Sequence, residues 1–202
     1  MRFLLLLVWT VGLPVVAATS AIADDDANIC SKGAGDKQIA ACTSVINSGQ
    51  WRGADLAWAY YNRGIAYDDK GDFDRAIADY TQAIKLDPKD TDVFFNRGVA
   101  WKNKGNLDKA IVDYGEAIKL KPQDADFYYG RGNAWSDKGD QDKAIADYNE
   151  ALKLNPKDAD AYNSRGNARL KKAEFDKAIA DYNEAIKLDP NNYFAYNGRG
   201  IT

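Results

Sequence analysis

Histidine is absent from this 202-residue sequence. Its absence excludes Ser-His-Asp and Cys-His nucleophiles, imidazole general bases and most zinc sites, because each of them needs the imidazole side chain. Neither sign of charge is in large excess, since the sequence has 27 Lys and Arg and 30 Asp and Glu, for a net charge of −3. Without a basic field, the sequence argues against nucleic acid as a partner. The composition therefore favours a protein that is not an enzyme.

Motifs for cofactors and metals are also missing from the sequence. It contains no calcium loop of the D-x-[DN]-x-[DN]-G type, no phosphate-binding glycine loop and no nucleophile elbow. Acidic residues such as Asp68, Asp69 and Asp137 recur with the helical period described below, so helix capping and solvation explain them. We therefore expect no catalytic residue, no cofactor and no metal.

Only one long apolar run is present, at the N-terminus. Arg2 precedes an almost continuous apolar stretch over residues 3–16, and an A-x-A triplet follows at 21–23. This order predicts a secretory signal over residues 1–23. A membrane anchor is the alternative, but the stretch is shorter than the roughly 20 residues of a spanning helix and Pro14 interrupts it. We expect an exported protein, periplasmic or secreted, that does not insert into a membrane after cleavage.

Cysteine is scarce, and both copies follow the predicted signal, at Cys30 and Cys42. Because export leads to an oxidising compartment, the even count predicts one disulfide, worth roughly 3 kcal/mol in the chain-entropy model. The alternative is a pair of reduced thiols buried as small hydrophobic groups. The spacing differs from C-x-x-C, so a redox motif is not expected.

A period of 34 residues organises the rest of the chain. The triplet Asn62-Arg63-Gly64 recurs in related form at intervals of that length. The related triplets lie at 96–98, 130–132, 164–166 and 198–200. With Ala57 as position one, the full repeats are 57–90, 91–124, 125–158 and 159–192, and residues 193–202 begin a fifth.

Each repeat is interpreted as two helices. In the first repeat, Gly71 suits the end of one helix and Asp72 suits the N-cap of the next. Small residues at positions eight, twenty and twenty-seven allow close helix contact, while aromatic residues at positions four and twenty-four fill the space between layers. A single pair leaves one apolar side uncovered, and a neighbouring pair covers it. The sequence therefore predicts an all-α fold of stacked helix pairs.

This arrangement of small, aromatic and proline positions resembles the tetratricopeptide repeat family, in a secreted bacterial form, from Ala57 to Thr202. The resemblance implies an α-solenoid of antiparallel helix pairs, wound as a right-handed superhelix. Position seven departs from the family, because it holds Arg instead of the usual Leu. In the fourth repeat Ala173 replaces the turn glycine, which predicts a less sharp helix end, and Arg169 replaces an aromatic residue, which predicts weaker packing.

A degenerate unit precedes the repeats. Residues 39–46 align with 77–84, which places Cys42 at the tyrosine position. Terminal repeats are expected to be atypical. We interpret residues 24–56 as an N-terminal capping hairpin that the predicted disulfide supports.

Position seven is arginine and position twenty-three is aspartate in every full repeat. Antiparallel helices bring these positions to similar heights, so we predict a structural ion pair within each repeat. An anion-binding row of arginines is the alternative. The predicted pairs are Arg63 with Asp79, Arg97 with Asp113, Arg131 with Asp147, and Arg165 with Asp181.

In this family the first helix of each repeat forms the concave surface, mainly through positions two, five, six, nine, twelve and thirteen. The resemblance implies that aromatic and amide side chains there bind an extended peptide or a partner protein. A solvated surface without a ligand is the alternative. Position five holds no lysine, so the carboxylate clamp of chaperone-docking relatives is not carried over. The candidates are Tyr61, Asn62, Phe95, Asn96, Tyr129, Asn133, Asn163 and Asn167.

The expected function is that of a non-catalytic scaffold for protein–protein interaction. The alternative is a structural repeat protein that assembles with itself by stacking through an uncapped C-terminal end. This alternative depends on residues 193–202, where Tyr196 and Ile201 are expected on a poorly covered helix.

Overall fold

The computed structural model of this protein describes residues 25–202, and the predicted signal at 1–23 lies outside them. The described residues contain no strand, which confirms the all-α prediction. None of their helices has the length and apolarity that crossing a membrane requires. The first helical segment, α1, covers residues 25–32. The other helices are α2 (Gly35–Asn47), α3 (Ala54–Asp69), α4 (Phe73–Leu86), α5 (Thr91–Asn103), α6 (Leu107–Leu120), α7 (Ala125–Lys138), α8 (Gln141–Leu154), α9 (Ala159–Lys171), α10 (Phe175–Leu188) and α11 (Tyr193–Gly200).

The helices form pairs that stack side by side. Within the four repeats, α3 packs on α4, α5 on α6, α7 on α8 and α9 on α10. Each first helix also contacts the first helix of the next repeat, so α3, α5, α7 and α9 lie in one row. This arrangement confirms the predicted α-solenoid, in which every pair covers an apolar side of its neighbour.

The tyrosine at position twenty-four fills the centre of each repeat, and all four copies are almost fully buried. A Cβ atom added to Gly64 would meet Cε1 of Tyr80 at 2.6 Å, which is an overlap. Glycine is therefore required at position eight because any side chain there would displace the ring. The same relationship joins Gly98 to Tyr114, Gly132 to Tyr148 and Gly166 to Tyr182.

The turn inside each repeat begins with a residue in the left-handed conformation. Gly139 has a φ of 92°, and Ala173 occupies the equivalent position with a φ of 57°. The end of α9 at Lys171 falls at repeat position thirteen, where α5 also ends, at Asn103. The expected loss of sharpness at this helix end is therefore wrong. The replacement of glycine is instead accommodated as backbone strain, since the left-handed region costs an L residue about 1–2 kcal/mol.

The N-terminal hairpin is α1 and α2, packed on α3. Cys30 and Cys42 are buried and joined by a disulfide with an S–S distance of 2.08 Å. The side chain of Gln38 is buried beside it and donates from Nε2 to the carbonyl oxygen of Cys30, at 3.0 Å. Val45 and Ala59 belong to the same apolar cluster, so this cluster connects the hairpin to the first repeat.

Candidate functional site

The first helices of the four repeats present one continuous surface. We call it the helix-A groove and define it by positions five, six, nine, twelve and thirteen of α3, α5, α7 and α9. Contacts between these positions cross from helix to helix: Asn96 Nδ2 donates to Tyr61 Oη at 2.8 Å, and Tyr129 Oη lies 3.3 Å from Ser164 Oγ. All eight candidate binding residues belong to this surface, and each is partly or fully exposed.

Aromatic rings at position five pack on the buried tyrosines beneath them. The ring centroids of Tyr61 and Tyr80 are 6.1 Å apart, and those of Tyr129 and Tyr148 are 6.0 Å apart. Phe95 contacts two rings, Tyr114 at 5.5 Å and Phe127 at 5.2 Å. These contacts fix one side of each position-five ring, which leaves its outer edge available for flat apolar contact.

The asparagines in the groove have different hydrogen-bonding states. Asn62 Nδ2 donates to the carbonyl oxygen of Trp58 in its own helix, at 2.8 Å. Asn133 Oδ1 accepts from the Tyr148 hydroxyl at 2.7 Å, and Asn167 Oδ1 accepts from the Tyr182 hydroxyl at 2.8 Å. Burial raises the pKa of both tyrosines, so they remain protonated donors. Both amides are consequently oriented with Nδ2 free for another acceptor.

A cavity of about 360 Å³ opens in the groove between α5, α7 and α9. Asn133 and Asn167 are two of its lining residues, and Lys102, Asp137 and Lys171 are three others. Lys102 Nζ lies 3.5 Å from Asp137 Oδ2, so the charges of these two residues offset one another. Ser136, Tyr148, Ser164 and Leu170 complete the lining.

The lysines of this cavity were not among the sequence candidates. They lie at positions twelve and thirteen, which the family resemblance already places on the concave surface. Extending the candidate set to those positions would have found them. Which of them share one cavity depends on the contacts between successive first helices.

Polar atoms without partners also occur in or beside the groove. Asn163 Oδ1 is buried and has no hydrogen-bond partner. Asp68, at position twelve of α3, is half-buried, and its Oδ1 atom is likewise buried without a partner. Burial is the main cause that raises the pKa of Asp68, and the charge of Asp69 raises it further. An uncompensated carboxylate of this kind is costly, because desolvation disfavours the charged form.

The four Arg–Asp pairs lie between the two helices of each repeat. Arg63 donates from Nε and Nη2 to the two carboxylate oxygens of Asp79, at 2.7 and 2.8 Å. Each of the other three arginines likewise uses Nε and Nη2 on its own aspartate. The carboxylates are buried, and the hydrogen bonds to Asp79 raise the pKa of Arg63 above its ordinary value. These arginines are engaged with partners, which leaves little capacity for an external anion.

The same arginines also connect successive repeats. Arg97 Nη1 donates to Thr81 Oγ1 of the preceding repeat at 3.1 Å, and Arg165 Nη1 donates to Asn149 Oδ1 at 2.7 Å. Arg131 lacks this bond, because the equivalent residue is Gly115.

Arg169, which replaces an aromatic residue, has found a different partner. Its Nη1 atom donates to Asp181 Oδ2 at 2.8 Å, so Asp181 accepts from two arginines. Its Nε atom is buried and without a partner. At this position, eleven, the other repeats have an aromatic ring with a cation beside it, as with Lys143 over Trp135. The fourth repeat instead has an ion pair in which one donor of Arg169 is unsatisfied.

Comparisons with known proteins agree with this architecture. The family model described as "Tetratricopeptide repeat" matches residues 57–90 and 159–192, and the model described as "TPR repeat" matches 101–139 and 135–173. No curated protein matches the chain.

Three similar solved structures illustrate the relationship. A crystal structure of MamA has 31% sequence identity and a TM-score of 0.66, covering 68% of this chain and 81% of that one. The TPR domain of Arabidopsis OM64 has 30% identity and a TM-score of 0.54, covering 55% and 92%. YrrB, described as a TPR protein with an unusual peptide-binding site, has 19% identity and a TM-score of 0.75, covering 89% and 90%. On the repeat pattern, the stacked helix pairs and these matches, the chain belongs to the tetratricopeptide repeat family.

Proposed function

We propose that this protein is a non-catalytic scaffold that binds an extended peptide, or an extended segment of a partner protein, in the helix-A groove. The observation that carries the proposal is the row of partly exposed aromatic and amide side chains across four adjacent helices, interrupted by a cavity of about 360 Å³. Rigid rings supply apolar contact area at low entropic cost, and oriented amides can bond to a peptide backbone.

Family membership supports an interaction role, since the fold by itself supplies only a surface. YrrB, which shares the fold, is a TPR protein described as having an unusual peptide-binding site. The non-catalytic part of the proposal rests on the absence of histidine and on the engagement of the buried repeat carboxylates by arginine.

We also propose that the protein is exported, to the periplasm or beyond the cell. The predicted signal at 1–23 and the disulfide between Cys30 and Cys42 both support export, because such bonds persist in oxidising compartments. Cell fractionation followed by N-terminal sequencing tests this proposal. The expected N-terminus is Asp24, and a cytosolic protein that retains Met1 would overturn it.

Blocking the cavity tests the binding surface. Ser164→Trp places an indole in the cavity lining, and Val112→Trp is the matched control on α6, where Val112 is 61% exposed. An array of random ten-residue peptides probes wild type and both variants, with thermal melts to verify folding. We expect Ser164→Trp to lose the wild-type binders and Val112→Trp to retain them. Equal loss in both variants, or no binding by the wild type, would contradict the proposal.

Self-assembly is a second candidate function, and one observation favours it. The side chains of Tyr193, Phe194, Tyr196 and Ile201 on and after α11 are exposed, with Ile201 at 69%. A second copy of this chain stacking on that side would bury them. Sedimentation velocity on the wild type and on Phe194→Ser/Ile201→Ser is the test. We expect the wild type to associate and the double variant to remain monomeric. A wild type that is strictly monomeric at high concentration would refute self-assembly.

A further inference from the structure

Building on the proposed function, we propose that the helix-A groove selects an extended segment with a charge at each end. A basic side chain of the segment lies on Asp68, at the α3 end of the groove. A carboxylate of the segment lies in the cavity between α5, α7 and α9. The two ends of the groove therefore differ in chemistry, and the segment binds in one direction.

The α3 end carries an acidic group with nothing to offset it. The Asp68 carboxylate is half-buried, and one of its oxygens has no hydrogen-bond partner. No lysine or arginine among residues 25–202 forms a salt bridge with it. Two lysines could be expected to offset its charge, but both are engaged elsewhere. Lys70, two residues further along the chain, pairs with Asp36, and Lys102, at the same repeat position in α5, lies near Asp137.

A basic side chain from a ligand would complete this site. Because Oδ1 of Asp68 is buried, a ligand reaches the half-buried carboxylate through Oδ2, and a charge-assisted hydrogen bond to a carboxylate is stronger than a neutral one. The groups that interact electrostatically with Asp68 include Asp69 in the same helix and the hydroxyls of Tyr80 and Tyr114, whose pKa values its negative charge helps to raise.

The α9 end carries donors in excess. Asn133 and Asn167 present their Nδ2 groups, because the tyrosine hydroxyls occupy their Oδ1 atoms. Lys171 lines the same cavity and forms no salt bridge within residues 25–202. The one carboxylate in the lining, Asp137, already has Lys102 nearby at 3.5 Å.

A carboxylate fits this donor set better than a neutral group does. It can accept from two amides and an ammonium group at once, and its charge matches the excess lysine. The lysines concerned occupy positions twelve and thirteen, so the site differs from a clamp built on position five. Tyr61, Phe95 and Tyr129, at position five of the same groove, offer apolar contact that does not depend on charge.

Synthetic peptides with blocked termini test the polarity of the groove. Five fluorescein-labelled decapeptides share one interior of Ala, Ser and Tyr and differ only at their ends: Lys then Glu, Glu then Lys, Lys at both, Glu at both, and Gln at both. Fluorescence anisotropy measures their Kd values. We expect one of the two Lys–Glu peptides to bind at least tenfold more tightly than the Gln peptide, and to bind more tightly than its reverse. A sixth peptide, with a free C-terminus in place of Glu, distinguishes a terminal carboxylate from a side-chain carboxylate.

Charge-neutralising variants then assign each end. Asp68→Asn is expected to weaken binding of the preferred peptide about tenfold, through the loss of one charge-assisted bond, and to leave the Kd values of the two peptides without Lys unchanged. Lys171→Gln is expected to act in the same way on peptides that carry Glu. Asp176→Asn and Lys157→Gln are the matched controls, because both residues are exposed and outside the groove. Neither control should change any Kd.

The outcomes separate this inference from the proposed function. If all five peptides bind with equal affinity and Ser164→Trp abolishes binding, the groove binds peptides but its polarity is refuted. If no peptide binds to the wild type at all, the polarity and the proposed function are both refuted. A charge preference that the controls reduce as much as the groove variants would also overturn the assignment.

Discussion

The guanidinium of Arg97 meets the carboxylate of Asp113 through two parallel hydrogen bonds, of 2.8 and 2.7 Å, from one helix of the repeat to the other. Asp113 is 3% exposed, so the arginine is its main source of compensation. A third bond, from Nη1 to Thr81, extends the contact to the preceding repeat. One side chain thus joins three helices. The two bonds to the aspartate recur in every full repeat, whereas the third bond is missing at Arg131.

Arg97→Ala is expected to destabilise the protein by about 3–5 kcal/mol, because it leaves the Asp113 carboxylate buried without a partner. The double variant Arg97→Ala/Asp113→Ala should lose less than the sum of the two single variants. Urea unfolding followed by circular dichroism measures all three. Strictly additive losses would show that the two side chains do not act as a pair.

Gly115→Asn is expected to stabilise the protein by about 1–2 kcal/mol, since it supplies the missing acceptor for Arg131 and removes a glycine from the middle of α6. Gly115→Ala is the control, because it corrects the helix propensity without adding an acceptor. Alanine has the higher propensity, so an Asn variant at least as stable as the Ala variant identifies the new hydrogen bond. An Asn variant less stable than Ala by the full propensity difference would argue against it.

Ala173→Gly is expected to raise stability by about 1 kcal/mol, because glycine adopts the left-handed conformation without the steric cost that alanine has there. The reverse change at the equivalent turn, Gly139→Ala, should lower it by a similar amount. Thermal denaturation of both variants is the measurement. Melting temperatures that move in the same direction would contradict the assigned strain.

Gly98→Ala is expected to destabilise by about 1–3 kcal/mol, although alanine is the better helix former, because the new methyl group would meet Cε1 of Tyr114 at 2.9 Å. Gly115→Ala serves as the comparison, since the nearest atom to its added Cβ is 3.8 Å away. The two substitutions should therefore have opposite signs in chemical denaturation. A neutral effect at Gly98 would show that the core accommodates the methyl group.

Asp68→Asn is expected to stabilise the unliganded protein at neutral pH, by less than about 1 kcal/mol because the carboxylate is only half-buried. The pKa of Asp68 is raised on folding, so the folded state binds its proton more tightly and loses stability as the pH rises above the usual Asp range. The advantage of Asn should vanish below the usual Asp pKa, where both states are protonated.

Urea unfolding between pH 3 and 7 measures this difference, with Asp176→Asn as the control. Asp176 is exposed in the first turn of α10, where a negative charge favours the helix, so its removal should have the opposite sign. A pH-independent difference at Asp68 would contradict the raised pKa.

Local features of the fold were predictable from the chain. Gly71 takes the left-handed conformation with a φ of 73°, and the side chain of Asp72 accepts from the Arg75 backbone N–H at 3.2 Å, as the turn residues predict. Helix ends of this kind depend on the residue and its immediate neighbours. The end of α9 was mispredicted because residue type was taken to decide it. Ala173 adopts the same left-handed turn as the glycines, with backbone bonds of 2.9 Å from Ala173 N–H to the Leu170 carbonyl and from Glu174 N–H to the Arg169 carbonyl.

The candidate groove was predictable only in outline. Family positions located Asn133 and Asn167, but they did not show that Tyr148 and Tyr182 orient the two amides. The orientation depends on a hydroxyl from the second helix of the same repeat. A local sequence pattern does not predict how the two helices are aligned along their axes, and therefore does not predict this hydrogen bond. The sequence did not predict that Asp68 lacks a partner either, because two adjacent aspartates, Asp68 and Asp69, are usually exposed to solvent.

The sequence by itself determined the stack: a 34-residue period of small and large residues leaves each helix pair with an uncovered apolar side, and only a similar pair covers it. The tertiary structure decided which charges are compensated. Lys70, Lys102 and the repeat arginines lie beside carboxylates, whereas Asp68 and Lys171 form no salt bridge with any of residues 25–202. Compensation depends on distances of a few ångströms between side chains from different helices, and those distances exist only once the helices have packed.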